Sequence, residues 1–204
     1  MRKAVLVTST ASDNLISRYL ENEIIGLDGG IDIARQNGAK LSLAISTFEN
    51  ISLQYVLTFM RKDKIIRYKN NEEETPYLKV LNYLFSQGIE DIIILGEFDQ
   101  NIEKVHDLLL TLKNAKGNVS FQSQNSMVTY YSKGSHIIMK QDYSRLYLIG
   151  FPQAVVSMEH VVKPVKNVKI DFAVNKSMEN TILERVSVLK VSEGGVLLVL
   201  SKDD

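Results

Sequence analysis

No cysteine occurs in the 204 residues, so the chain holds no disulfide, no thiolate nucleophile and no cysteine metal site. A reducing compartment is allowed by that composition without being required by it. Neither sign of charge is in excess: 24 Lys and Arg balance 24 Asp and Glu, which removes the overall basic field that drives nonspecific nucleic-acid binding and leaves only a local patch open. No apolar run approaches the roughly 18 residues of a membrane-spanning helix. The first run, Ala4 to Val7, is too short for the core of a signal peptide and passes at once into polar Thr8 to Asn14. The expectation is a cytoplasmic protein without a membrane or nucleic-acid partner. Phosphate-loop, zinc-protease and nucleophile-elbow strings are missing too, and Gly26 to Gly30 does not make a dinucleotide fingerprint. His106, His136 and His160 lack metal-ligand spacing; the first falls in a helical pattern and the others in strand patterns.

What is present has 45% hydrophobic content, enough for a sizeable core. The central stretch is residues 24 to 51. Ile24 to Leu27 reads as a strand ending at Asp28-Gly29-Gly30, a turn whose glycines permit positive φ or close backbone approach to a ligand. Ile31 to Asn37 has helical composition, Gly38 closes it, and a second apolar run, Leu41 to Ile45, ends in Ser46-Thr47-Phe48-Glu49-Asn50. Open α/β sheets bind ligands at this carboxyl edge.

To about Asn118 the pattern alternates. Strand-length runs at Ala4 to Val7, Ile24 to Leu27, Leu41 to Ile45, Ile65 to Tyr68 and Ile92 to Leu95 are separated by helical spacing, which predicts a mainly parallel sheet with flanking helices. The helices are expected at Asp13 to Leu20, from Ser52 to about Arg61, at Pro76 to Gln87 with Thr75 as N-cap, and from Ile102 to Lys113. In the third-strand helix Leu53, Val56, Leu57 and Met60 are expected to face the sheet. Beyond Phe121 seven short β-rich runs suggest an antiparallel sandwich, with Ser132-Lys133-Gly134 and Ser192 to Gly195 as hairpin-like punctuation. The change of texture divides the chain into residues 1–121 and 122–204.

The Asp28-Gly29-Gly30 turn and the strand-end string Ile45 to Ile51 resemble the thiamine pyrophosphokinase family, whose pattern here is DGG followed by I-G-D-F-D-S-I. Asp28, Gly29, Gly30, Ile45, Phe48 and Ile51 match; Ser46, Thr47, Glu49 and Asn50 replace Gly, Asp, Asp and Ser. A second family string, E-K-D-x-T-D-x-E, falls on Asn71 to Leu78 around Thr75, with Glu72 for Lys, Glu73 for Asp and Pro76 for Asp. The third, G-A-L-G-G-R-x-D-H, falls on Gly96 to Lys104, with Asp99, Gln100 and Asn101 for Gly-Gly-Arg, Glu103 for Asp and Lys104 for His. The resemblance covers nearly the whole length and implies a Rossmann-like N-terminal half, a C-terminal β-sandwich and a homodimer.

It also implies a reaction, pyrophosphoryl transfer from ATP to thiamine giving AMP and thiamine diphosphate, with Mg²⁺ accompanying ATP. Such transfer needs clustered carboxylates for the cation and positive groups on the phosphates. By resemblance Asp28, Glu49, Glu73 and Glu103 are the Mg²⁺ set, Thr47 and Thr75 are further catalytic positions, Asn101 and Lys104 take phosphate, and Glu179 and Asn180 take substrate. The bland reading stands beside each. Glu72 to Glu74 suits a solvated turn, Thr75-Pro76 a helix start, Asp99 and Asn101 helix caps, and Asn180 an Asx turn. A hydroxyl at Thr47 is a poor donor to a hard cation, and Glu72 places a negative charge where the family has lysine. Two readings follow: a thiamine pyrophosphokinase-like protein of weakened or lost activity, or a non-catalytic protein on the same fold that binds thiamine, thiamine diphosphate or a nucleotide.

Overall fold

A computed structural model describes residues 2–69, 74–98, 102–174 and 178–202. The chain divides into two compact units, Met1–Gln124 and Asn125–Asp204.

The first unit carries strands β1 (Arg2–Val7), β2 (Glu23–Leu27), β3 (Leu41–Ser46), β4 (Ile65–Arg67), β5 (Ile89–Leu95) and β6 (Asn118–Gln122) in the spatial order β6-β5-β1-β2-β3-β4. All neighbours in this array run parallel. Its helices are α1 (Asp13–Ser17), α2 (Gly30–Gln36), α3 (Leu53–Leu57), α4 (Pro76–Ser86) and α5 (Ile102–Asn114). Val5 and Val7 pack with Leu15, Ile16 and Ala34 into one buried cluster, while α4 lies against β5 and α5 against β6. The central strands are therefore apolar on both faces and read in sequence as unbroken runs rather than alternating ones. Because β1 lies between β2 and β5, successive connections run one way from β1 to β4 and then cross to β5, which makes the β1/β5 junction the topological switch point.

Two helices are shorter than their patterns predict. Helix α1 ends at Ser17 instead of Leu20, and α3 at Leu57 instead of Arg61, where the Thr58 hydroxyl donates to the Tyr55 carbonyl and competes with the helical ladder. Only Val56 of the expected α3 stripe is buried; Leu53 and Leu57 are exposed. Helix α4 starts as its sequence predicts. Thr75 Oγ1 accepts the Leu78 N–H at 3.2 Å, and Pro76 fills the first helical position, where a missing N–H costs nothing.

The second unit has β7 (Ser126–Met139), β8 (Arg145–Glu159), β9 (Val165–Asp171), β10 (Met178–Thr181) and β11 (Val186–Ser201). β11 lies between β7 and β8, and β9 and β10 share the other edge of β8, every pair antiparallel. Most of the short runs seen in sequence are thus segments of three long strands. The two stretches expected as hairpin turns lie inside β7 and β11. At the second, the register against both neighbours shifts between Val191 and Val196. The extra residues of this bulge reverse the side-chain phase, so Leu189 and Val191 before it and Val196, Leu198 and Leu200 after it enter the same core. Gly194 makes the bulge possible: its φ is +68°, and a Cβ there would stand 2.0 Å from the Gln153 carbonyl. His160, expected in a strand, lies just past β8 with φ +60°. No helix among the described residues is long and apolar enough to cross a membrane.

Candidate functional site

The carboxyl ends of β1, β2, β3 and β5 meet at one edge of the first unit. After β1, Thr8 turns back on the sheet: its hydroxyl donates to the Leu95 carbonyl at 2.9 Å and lies 3.1 Å from that of Thr10. Glu97 N–H donates to Thr10 Oγ1 at 3.1 Å. Gly96 fits between these loops because it lacks a Cβ, which would stand 2.5 Å from Thr8 Oγ1 and 2.8 Å from Thr10 Oγ1. The Asp28-Gly29-Gly30 turn is equally an internal packing device. A Cβ on Gly30 would lie 2.0 Å from the Val7 carbonyl oxygen, and the left-handed residue is Asp28 itself, at φ +49°, with Gly29 in the ordinary helical region.

Asp28 is the centre of a small network. Its Oδ1 accepts the Ser46 hydroxyl at 2.8 Å and the Thr47 N–H at 3.2 Å; its Oδ2 accepts the Tyr68 hydroxyl at 2.6 Å. Three of about four carboxylate acceptor positions are thereby filled from β3 and β4. Ser46 Oγ in turn accepts the Phe48 N–H at 2.9 Å and helps hold Phe48 at φ +61°, a backbone conformation unusual for a bulky side chain. Burial first, and the hydrogen bond to Asp28 second, push the Tyr68 hydroxyl well above the ordinary tyrosine range, so at neutral pH it is a fixed donor to that carboxylate. Sequence reasoning passed over Tyr68. The available signal was its place at the end of the fourth apolar run, equivalent to that of Asp28 and Thr47 on their strands.

Beside this network, at the switch point, lies a cleft of about 250 Å³. The loop after β1 contributes Thr8, Ser9 and Thr10; the start of α4 contributes Pro76 and Tyr77; the loop after β5 contributes Glu97 and Phe98; and α5 contributes Lys104, Asp107 and Leu108, with Asp28 and Phe121 at its walls. Phe98 and the buried Phe121 form a tilted ring pair with centroids 4.8 Å apart. Tyr77, Phe98 and Phe121 are not singled out by the sequence, in which Phe98 falls in the loop after the fifth apolar run.

The other expected site residues are distributed as follows. Thr47 is buried, with its N–H on Asp28, and Glu49 is exposed beyond it. Thr75 caps α4 and lies 2.8 Å, hydroxyl to hydroxyl, from Thr111 on α5. Glu103 is exposed on the first turn of α5, next to the cleft-lining Lys104. Glu73 and Asn101 lie outside the described residues. In the second unit Glu179 is exposed on β10 and accepts the Tyr147 hydroxyl at 3.2 Å. Buried Asn180 accepts the Lys163 and Thr181 N–H groups at 3.0 Å and donates to the Lys163 carbonyl at 2.7 Å, committing its amide to the backbone.

Of the four expected Mg²⁺ donors, Asp28, Glu49 and Glu103 lie within the described residues and Glu73 outside them. Asp28 is occupied by its own chain, Glu49 and Glu103 are exposed, and among the described residues no three His, Asp or Glu side chains converge as metal ligands.

Compared with solved structures, the chain matches thiamin pyrophosphokinase from Bacillus subtilis over the whole length of both chains, with a TM-score of 0.81 at 14% identity. The chain has the thiamine pyrophosphokinase fold. A thiamin pyrophosphokinase family protein from Enterococcus faecalis matches it over the whole of both chains at 16% identity and TM-score 0.79. Thiamin pyrophosphokinase from Candida albicans matches 99% of this chain with 89% of its own at 12% identity and TM-score 0.76. No family model and no curated protein matches the sequence. The likeness to the thiamine pyrophosphokinase fold therefore resides in the backbone, at 12–16% identity in sequence.

Proposed function

We propose that this chain is a thiamine pyrophosphokinase-like protein in which pyrophosphoryl transfer from ATP to thiamine is lost or greatly slowed, and in which binding of a small aromatic molecule remains. The observation that carries this reading is the state of Asp28, the one acidic residue kept from the family strings. Its carboxylate is closed in by Ser46, Thr47 and Tyr68. A carboxylate tied to neutral donors of its own chain ties the ends of β2, β3 and β4 together and keeps only about one of its four acceptor positions for a hard cation. Thr47 adds a hydroxyl where the family has a second carboxylate, and removal of a single group that stabilises transition-state charge commonly costs about 10²–10³ in rate.

The same reading takes the two units as a Rossmann-like half and a β-sandwich half, divided near residue 121, and takes the protein as a cytoplasmic homodimer. The cleft supports retained binding, since aromatic and hydroxyl side chains surround a preformed hollow at the switch point. The test is titration calorimetry with thiamine, thiamine diphosphate and Mg-ATP, combined with chromatography of the products. Binding without product supports the reading. Stoichiometric conversion of thiamine to its diphosphate overturns it, and failure of all three ligands to bind removes the binding half.

A further inference from the structure

We infer that Asn37-Gly38 is a site of one-way chemical modification, deamidation by water, which the contact between α1 and α2 holds back and which destroys that contact once it has occurred. The inference is independent of the ligand and activity proposed above.

Asn37-Gly38 is the one Asn-Gly pair in the 204 residues, and it ends α2. Glycine has no Cβ, so its backbone nitrogen is the least hindered neighbour an asparagine side chain can have. That nitrogen attacks Asn37 Cγ: the new C–N bond closes a five-membered imide, the bond from Cγ to Nδ2 breaks, and Nδ2 leaves as ammonia with the proton of Gly38. Water then adds to either imide carbonyl and opens the ring to aspartate or isoaspartate. Water is consumed and ammonia released, with no oxidant or enzyme required.

Gly38 is exposed, and a Cβ built on it would meet nothing within 4 Å, so no packing shields the pair. What restrains it is the helix end. Gly38 N–H donates to the Arg35 carbonyl and Ala39 N–H to the Ala34 carbonyl, both at 3.0 Å, the paired bonds of a Schellman cap with Gly38 at φ +74°. The ψ of Asn37, 12°, turns the Gly38 nitrogen toward Asn37's own nitrogen and away from Cβ, so the ring closes only after the cap opens.

The side chain is restrained as well. Asn37 Nδ2 donates to Asp13 Oδ1 of α1 at 2.8 Å and to the Ile33 carbonyl at 2.9 Å. Both partners only accept, so the group between them must donate. A carboxylate at residue 37 has no proton to give at neutral pH and stands against a second carboxylate; both bonds are lost and like charges face each other. Isoaspartate also lengthens the main chain by a methylene and misplaces the cap. The helix so loosened is the one that begins at Gly30, directly after the Asp28 turn.

The experiment incubates the full-length protein at fixed pH and temperature, folded and in denaturing urea, and follows residue 37 by peptide mass spectrometry, with aspartate and isoaspartate forms separated by chromatography. Conversion should be at least about tenfold slower in the folded protein, because the reaction waits on local opening. In folded Asp13→Ala it should be about 2- to 13-fold faster, the factor by which loss of one hydrogen bond of about 0.5–1.5 kcal/mol raises the open population, and in urea Asp13→Ala should change nothing. A second readout does not depend on the reaction. Asn37→Asp should lower the urea midpoint followed by circular dichroism, and Asp13→Asn/Asn37→Asp, which sets a donor opposite the new carboxylate, should recover part of that loss. Equal rates in folded and unfolded protein, no acceleration in folded Asp13→Ala, or no product at residue 37 in urea overturns the inference. So does a midpoint of Asn37→Asp that equals that of the wild type or gains nothing from Asp13→Asn.

Discussion

Replacing Tyr68 by phenylalanine removes one O–H and nothing else from the Asp28 network. The lost bond is 2.6 Å long, ends on a carboxylate, and lies in a half-buried position. Hydrogen bonds to charged groups contribute about 1.5–3 kcal/mol, and Tyr68→Phe should cost that amount at pH 8. Ser46→Ala should cost a similar amount, since it removes the other side-chain donor to Asp28 and the acceptor of the Phe48 N–H. The two changes should couple by more than about 0.5 kcal/mol because they share one acceptor. The chain has no tryptophan, so urea unfolding is best followed by far-UV circular dichroism. The pH dependence has a definite sign. In the unfolded chain Tyr68 loses its proton near the ordinary value of about 10, whereas burial and Asp28 hold it on in the folded protein to higher pH. The stability difference between wild type and Tyr68→Phe is therefore fully present below about pH 10 and shrinks as pH rises above it. A difference under about 0.5 kcal/mol at pH 8, or one that grows in alkali, would refute the structural role given to Asp28.

Gly30→Ala sets a Cβ 2.0 Å from the Val7 carbonyl oxygen and should cost at least the upper end of the about 1–3 kcal/mol typical of overpacking, measured by the same unfolding curves; a neutral result would mean that α2 does not pack on β1 as described. Asn180→Ala removes the acceptor of the Lys163 and Thr181 N–H groups and the donor to the Lys163 carbonyl, and should lower stability by about 0.5–1.5 kcal/mol for each bond lost. If Asn180→Ala instead weakens thiamine binding without changing stability, Asn180 contacts substrate and does not serve the backbone alone.

The central parallel strands of the first unit were legible because both faces are buried, so apolar runs such as Ile24 to Leu27 appear without interruption. Helix α4 was legible for a different reason, since its cap and first-turn proline write its start into the sequence. The second unit was less legible. A bulge such as the one at Ser192 to Gly195 has the glycine content of a turn, and only the register across both neighbouring strands distinguishes a strand that bends from one that ends. At the site, Asp28 was recognisable from its turn, but what closes it in was not: Ser46 is near in spacing, whereas Tyr68 arrives 40 residues later through strand order. The cleft posed the same difficulty. Phe98 and Phe121 belong to separate strand ends, and nothing in local sequence brings their rings together.

The measurement that bears most directly on the account is AMP formation dependent on both thiamine and Mg²⁺, made with saturating ATP and with Thr47→Asp, Glu72→Lys and Tyr68→Phe variants alongside. The account predicts wild-type turnover at least about 100-fold below the ordinary range of about 1 per second, with Thr47→Asp alone restoring little because Asp28 stays closed in. Wild-type turnover of about 1 per second or faster, coupled one to one with thiamine diphosphate, would contradict it.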